Sequence, residues 1–189
     1  MSLDAVLVRF DGEGTAVLRY ADARDRLDRP RPRQAQPQWT RDVGFVERRH
    51  NGRLRLRGTF VGHYLDVDES DQVSEVGLRE GAAAVGLIGV LGGPPGIAVG
   101  LLLGGLIGAQ VGHPREVEPE PQAVAALLRE AVPPSSSAIV MVSSAAEIDE
   151  LLAALGSSVA DVVRRTLPDG DVAALEASLE QAPPAAPAS

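Results

Sequence analysis

The chain has no cysteine, which excludes disulfides, thiolate metal sites and cysteine nucleophiles and leaves the redox compartment open. It has no lysine either: all 18 basic residues are arginine, which reads as the codon usage of a high-GC bacterial genome rather than as chemistry. Acidic residues outnumber basic ones by 26 to 18, for a formal net charge of −8. Phosphate neutralisation needs surplus cations, so nucleic acid is not expected as a partner of the whole chain. The amino end, MSLDAVLVRFDGEG, lacks a basic start and a small-residue cleavage site and carries Asp4 and Arg9 inside its short apolar run. That pattern is not a signal peptide and predicts a domain that begins in the cytoplasm.

Catalytic and metal-binding patterns are missing too. His50, His63 and His113 have no metal-ligand spacing. Ser135, Ser136 and Ser137 follow two prolines without a nucleophile elbow and read as a linker. The glycines lead into no Gly-Lys-Ser/Thr ending that would cradle phosphate. Asp66, Asp68, Ser70 and Asp71 have the alternating oxygens of a calcium loop, but Asp71 stands where that loop needs glycine and Gly77 where it needs the closing glutamate. Helix capping from Ser70 or Asp71 explains them better. The expectation is a protein without cofactor or metal, and not an enzyme.

With 189 residues there is room for one domain carrying an insertion. Leu3 to Phe10 suits a first strand buried on both faces in its middle, and Thr15 to Leu27 has apolar residues at helical spacing. The prolines of DRPRPRQAQPQW forbid a helix interior there. Two strand-like runs, Val43 to Glu47 and Arg53 to Val61, flank His50-Asn51-Gly52, a strong hairpin signal. In the second run Arg53, Arg55 and Arg57 face one way and Leu54 and Leu56 the other. Together with Arg48 and Arg49 they form the one dense basic patch. It can meet anionic headgroups or be paired with nearby Asp and Glu, while only Phe45, Phe60 and Tyr64 offer rings near it for base stacking.

Further along, Val117 to Val132 reads as an amphipathic helix and Ala138 to Val142 as an apolar strand. Ser144-Ala145-Ala146-Glu147 is a capping box announcing a helix to about Leu155, which Gly156 ends. Ser158 to Leu167 suits a last strand, Asp169 to Gln181 a terminal helix, and PPAAPAS a disordered tail. This order predicts an α+β, ferredoxin-like sandwich with an inserted glycine-rich helical hairpin. Its parts are the α/β domain at residues 1–70 and 114–167, the hairpin at 71–113, and a terminal helix and tail at 168–189.

Between Gly81 and Gly112 lie 32 residues without a formal charge, divided by Gly92-Gly93-Pro94-Pro95. Pro95 is suited to open a second helix, on which Gly96, Gly100, Gly104, Gly108 and Gly112 recur every fourth residue. Gly77, Gly81, Gly89 and Gly93 hold the same register in the first arm, with Val85 in the gap. Such a stripe lets two backbones approach closely. Each glycine costs up to about 1 kcal/mol relative to alanine in an isolated helix, so a compensating contact is required. The opposite face, with Ile97, Leu101, Leu102, Leu103, Leu106 and Ile107, then needs an apolar neighbour of its own, either lipid or another subunit. A bilayer core takes roughly 20 apolar residues, and each arm is shorter, so a shallow hairpin fits better than two full spans.

The VLVRFD strand, the DVGFVERRHNGRLRLRGT hairpin, the glycine-rich LREGAAAVGLIGVLGGPPGIAVGLLLGGLIGAQVG and the SSSAIVMV strand together resemble the bacterial domain-of-unknown-function twelve-sixty-nine family. The resemblance runs from about Leu3 to Leu167; the segment around Arg29 to Gln38 and the tail depart from it. It implies membrane association and no established enzymatic activity. The expected protein is non-enzymatic, lies at the bacterial cell membrane with its soluble domain facing the cytoplasm, and self-associates through the hairpin. Its expected partners are membrane lipid and further copies of itself. The alternative is a cytoplasmic, soluble homo-oligomeric assembly or ligand-binding module with the hairpins bundled in its core.

Overall fold

The computed structural model describes residues 2–27, 42–60, 63–68, 126 and 128–180. The glycines from position 77 to 112, the aliphatic residues from 97 to 107, and Ser70, Asp71 and His113 lie outside the described residues, as does the proline-rich stretch 29–38.

The elements are β1 (Asp4–Asp11), α1 (Thr15–Leu27), β2 (Val43–Arg48), β3 (Leu54–Phe60), β4 (His63–Asp68), β5 (Ser136–Ser143), α2 (Ala145–Leu155), β6 (Asp161–Thr166) and α3 (Asp169–Glu180). Residues 128–131 are also helical, within the span where a helix is expected. The strands form one six-stranded antiparallel sheet in the order β4-β3-β2-β5-β1-β6. Because β5 is antiparallel to both β1 and β2, those two run parallel with β5 between them, and α1 makes the crossover. This is a mixed α/β fold.

The sheet is apolar on both faces at its centre, which is why β1 is buried along most of its length instead of alternating. On one face Val6, Val8, Phe10 and Ile139 pack against Ala16 and Ala23 of α1 and Ile148, Leu151 and Leu155 of α2. On the other face Ala5, Leu7, Val46, Leu54, Leu56, Phe60, Leu65, Ala138, Val140 and Val142 are also buried. Gly44 and Gly58 stand opposite each other there. A Cβ on Gly44 would sit 2.2 Å from the Phe60 ring, and Gly58, at φ +107°, would bring one to 2.5 Å from the Val43 carbonyl oxygen. Two glycines therefore make the space that one aromatic ring fills.

Caps fix the helix ends. Ser144 is the N-cap of α2, with φ −66° and ψ 153°, and its Oγ accepts from the Glu147 amide at 3.4 Å. The Glu147 carboxylate in turn accepts from the hydroxyls of Ser143 and Ser144. Gly156, at φ +62°, ends the helix, as the sequence predicts. At α1 the cap comes from far along the chain: the Ala16 amide donates to Ser137 Oγ at 3.0 Å, and that hydroxyl donates to the Gly12 carbonyl at 2.8 Å.

Two readings are corrected here. Ser135–Ser137 is no linker: β5 starts at Ser136, Ser136 Oγ donates to the Pro133 carbonyl, and Ser137 pins the start of α1. Asp66 and Asp68, for which helix capping was the expected explanation, lie in the edge strand β4; the helix expected from Ser70 or Asp71 lies outside the described residues. Asp66 lies opposite Arg57 and Asp68 opposite Arg55. Pairing with arginine makes these acids tolerable in a strand, and an edge position favours charge.

Candidate functional site at the charged end of the sheet

α1 and α2 cover one part of a sheet face, and beyond α1 the same face carries charge. In the β2–β3 pairing Phe45 stands opposite Arg57 and Glu47 opposite Arg55. Asp66, Asp68 and Tyr64 of β4 continue this face through Arg57, Arg55 and Thr59. The strict alternation of β3 produces the arrangement: Leu54 and Leu56 go to the buried face, which leaves the arginines on this one. The hairpin is held by Gly52 at φ +82°, by the Arg49 amide donating to the Arg53 carbonyl at 2.9 Å, and by the Arg53 amide donating to Asn51 Oδ1 at 3.1 Å.

The ion pairs across the floor are specific. Arg49 Nη2 lies 2.5 Å from Asp68 Oδ2, whose side chain is only 7% exposed, and Arg55 Nη2 lies 3.3 Å from Asp66 Oδ1. A cleft of about 310 Å³ opens between this floor and α1, lined by Gly14, Val17, Leu18, Phe45, Glu47, Arg55 and Arg57. Leu18 on its wall is 68% exposed. The Arg55 Nε is buried and has no hydrogen-bond acceptor among the described residues. At the border of the apolar core, Tyr20 and Phe45 meet edge to face with centroids 5.5 Å apart. Burial lifts the Tyr20 phenol above its ordinary pKa, and Arg24 pulls weakly the other way.

The five arginines of the basic patch do not act together. Arg48 belongs to the opposite face, where its Nη1 donates to the Arg129 carbonyl at 2.6 Å and the Val132 carbonyl at 3.4 Å. It thus closes the end of the helical turn at 128–131, a favourable place for a cation. Arg49, Arg53, Arg55 and Arg57 share the charged face. The three rings near the patch are split as well: Phe45 and Tyr64 are on this face, and Phe60 is buried on the other. Asp66 and Asp68 are taken up by Arg55 and Arg49, and no group of acids and histidines among the described residues could hold a metal ion. His50 is exposed in the hairpin turn, where its amide donates to Glu13 Oε1 at 2.5 Å.

Glu47 and the α1 wall of Val17 and Leu18 have no motif to reveal them. The one sequence signal is Leu18, an apolar residue off the buried stripe of Ala16 and Ala23. Chemically, the cleft offers guanidinium groups, which bind carboxylate or phosphate through paired N–H donors, beside an apolar wall.

Fold and site define a mixed α/β protein with a six-stranded antiparallel sheet, α1 and α2 packed on one face and a charged cleft at one end. A family model described as Protein of unknown function (DUF1269) matches residues 79–180, more than half of the chain, and the chain belongs to that family. The matched stretch includes β5, α2, β6 and α3; α1 and β2–β4, which make the cleft, precede it. Neither a curated protein nor a solved structure matches the chain.

Proposed function

We propose that this chain is a non-enzymatic, membrane-associated protein that self-associates through a glycine-zipper hairpin carried on a ferredoxin-like sandwich. One observation carries the reading: 32 consecutive residues, Gly81 to Gly112, have no formal charge and place glycine every fourth position in the second arm. Glycines at that spacing remove the side chains that hold two helices apart, and the aliphatic residues around them need lipid or a neighbouring subunit. The domain part of the reading is supported by the order β6-β1-β5-β2, the split βαβ arrangement, with β3 and β4 as an extension at one edge.

No helix among the described residues is long and apolar enough to cross a membrane, so the proposal assigns the bilayer contact to the hairpin alone. Of the five arginines, Arg48, Arg49 and Arg55 already have partners and Arg57 lines the cleft. Headgroup contact is therefore assigned to Arg53. The test is flotation of the full chain with vesicles of a neutral and an anionic lipid. The wild type should float with both, and Gly104→Leu should disrupt the cross-linked oligomer. A chain that stays at the bottom of the gradient contradicts membrane association, and an unchanged oligomer in Gly104→Leu contradicts close packing.

A further inference from the structure

We propose that the cleft between α1 and the β2–β3 hairpin binds a small amphiphilic monocarboxylate. Its carboxylate is held by Arg57 with Arg55, and its apolar chain lies along Val17, Leu18 and Phe45. None of these residues belongs to the glycine-rich segment in the sequence, and the inference does not depend on membrane association. The volume, about 310 Å³, is at the lower end of the roughly 300–1,000 Å³ typical of ligand pockets, which sets the guest at the size of a short-chain acid.

The chemistry of the lining selects the head group. Arg55 and Arg57 line the cleft with Glu47, and Asp66 already balances Arg55, so Arg57 is the lining cation left to meet a single negative charge; a phosphate dianion would meet stronger repulsion from Glu47 and Asp66. Arg55 is already engaged by Asp66 through Nη2, which makes Arg57, exposed on the floor, the principal contact. The buried Arg55 Nε is a donor with no acceptor among the described residues. Leaving such a donor unmatched is costly, and a ligand oxygen would satisfy it. The wall selects the tail: Leu18 is 68% exposed and stands beside Val17 and the half-buried Phe45, an apolar strip ending at the guanidinium groups.

The experiment is a titration of isotope-labelled full chain with hexanoate, read by the backbone amide shifts of Leu18, Phe45 and Arg57, with hexanol and hexyl phosphate in parallel. Hexanoate should give saturable shifts at these residues. Hexanol, which lacks the charge, should bind at least about tenfold more weakly, as charge-assisted hydrogen bonds to arginine require. Arg57→Gln should weaken hexanoate by a similar factor, and Leu18→Gln should weaken it while the melting curve stays unchanged. Both side chains are exposed, and if Arg57→Gln failed to fold, Leu18→Gln would carry the test alone. The proposal is overturned if hexanoate gives no saturable shift, if hexanol or hexyl phosphate binds as tightly, or if the folded variants bind like the wild type.

Discussion

Over β1 and β5 one face of the sheet is apolar and sealed by α1 and α2, whereas over β3 and β4 the same face is charged and reaches solvent. Strand alternation is the same in both regions. What differs is the layer above: Val6, Val8 and Ile139 sit under helices, while Arg57 and Tyr64 are exposed. A pleated strand decides only which residues share a face; the packing partner decides whether those residues must be apolar. The Tyr20–Phe45 contact marks the boundary, with burial on one side and the cleft on the other.

Substitutions should separate the two regions. The largest effect is expected from Phe10→Ala in the sealed part, a loss of about 3–5 kcal/mol in a urea titration, because a fully buried ring leaves a cavity. Gly44→Ala, on the opposite face, should cost about 2–3 kcal/mol, since the new Cβ collides with the Phe60 ring.

The boundary should show itself through pH. The Tyr20 phenol has its folded-state pKa raised by burial. Its contribution to stability is therefore complete below the unfolded-state value, about 10, and is lost as pH rises through the folded value. Melting temperatures should fall on that alkaline limb, and Tyr20→Phe should flatten it. The smallest effect belongs to the open part, where Arg57→Ala should stay within about 0.5 kcal/mol of wild type. A cost for Arg57→Ala comparable to that for Phe10→Ala would remove the distinction between the regions.

Most of the elements were legible because their signals are local. The span of α1 follows from its apolar spacing, the β2–β3 hairpin from Asn51-Gly52, and α2 from Ser144, Glu147 and Gly156. The alternation of Arg53, Arg55 and Arg57 against Leu54 and Leu56 correctly places the arginines on one sheet face. What was not legible depends on distant partners. β4 did not read as a strand because Asp66 and Asp68 disfavour strands and suggested helix capping instead, and only the arginines of the neighbouring strand, together with the edge position, make them compatible with one. Ser137 looked like a linker residue because the amide it caps is 121 positions away. Arg48 looked like part of the basic patch, yet one step of pleat turns it to the other face and to the carbonyls of Arg129 and Val132. The cleft was invisible for the same reason, since its wall and floor come from α1 and the hairpin, joined only by the fold.

The central functional claim concerns residues 81–112, and its most direct test is fractionation of cells expressing the full chain, without detergent. We expect the intact chain in the membrane pellet after an alkaline carbonate wash and its release only by detergent. Recovery of the intact chain in the detergent-free soluble fraction, sedimenting as one defined oligomer, would contradict membrane association and leave the glycine-rich segment to an assembly of soluble subunits.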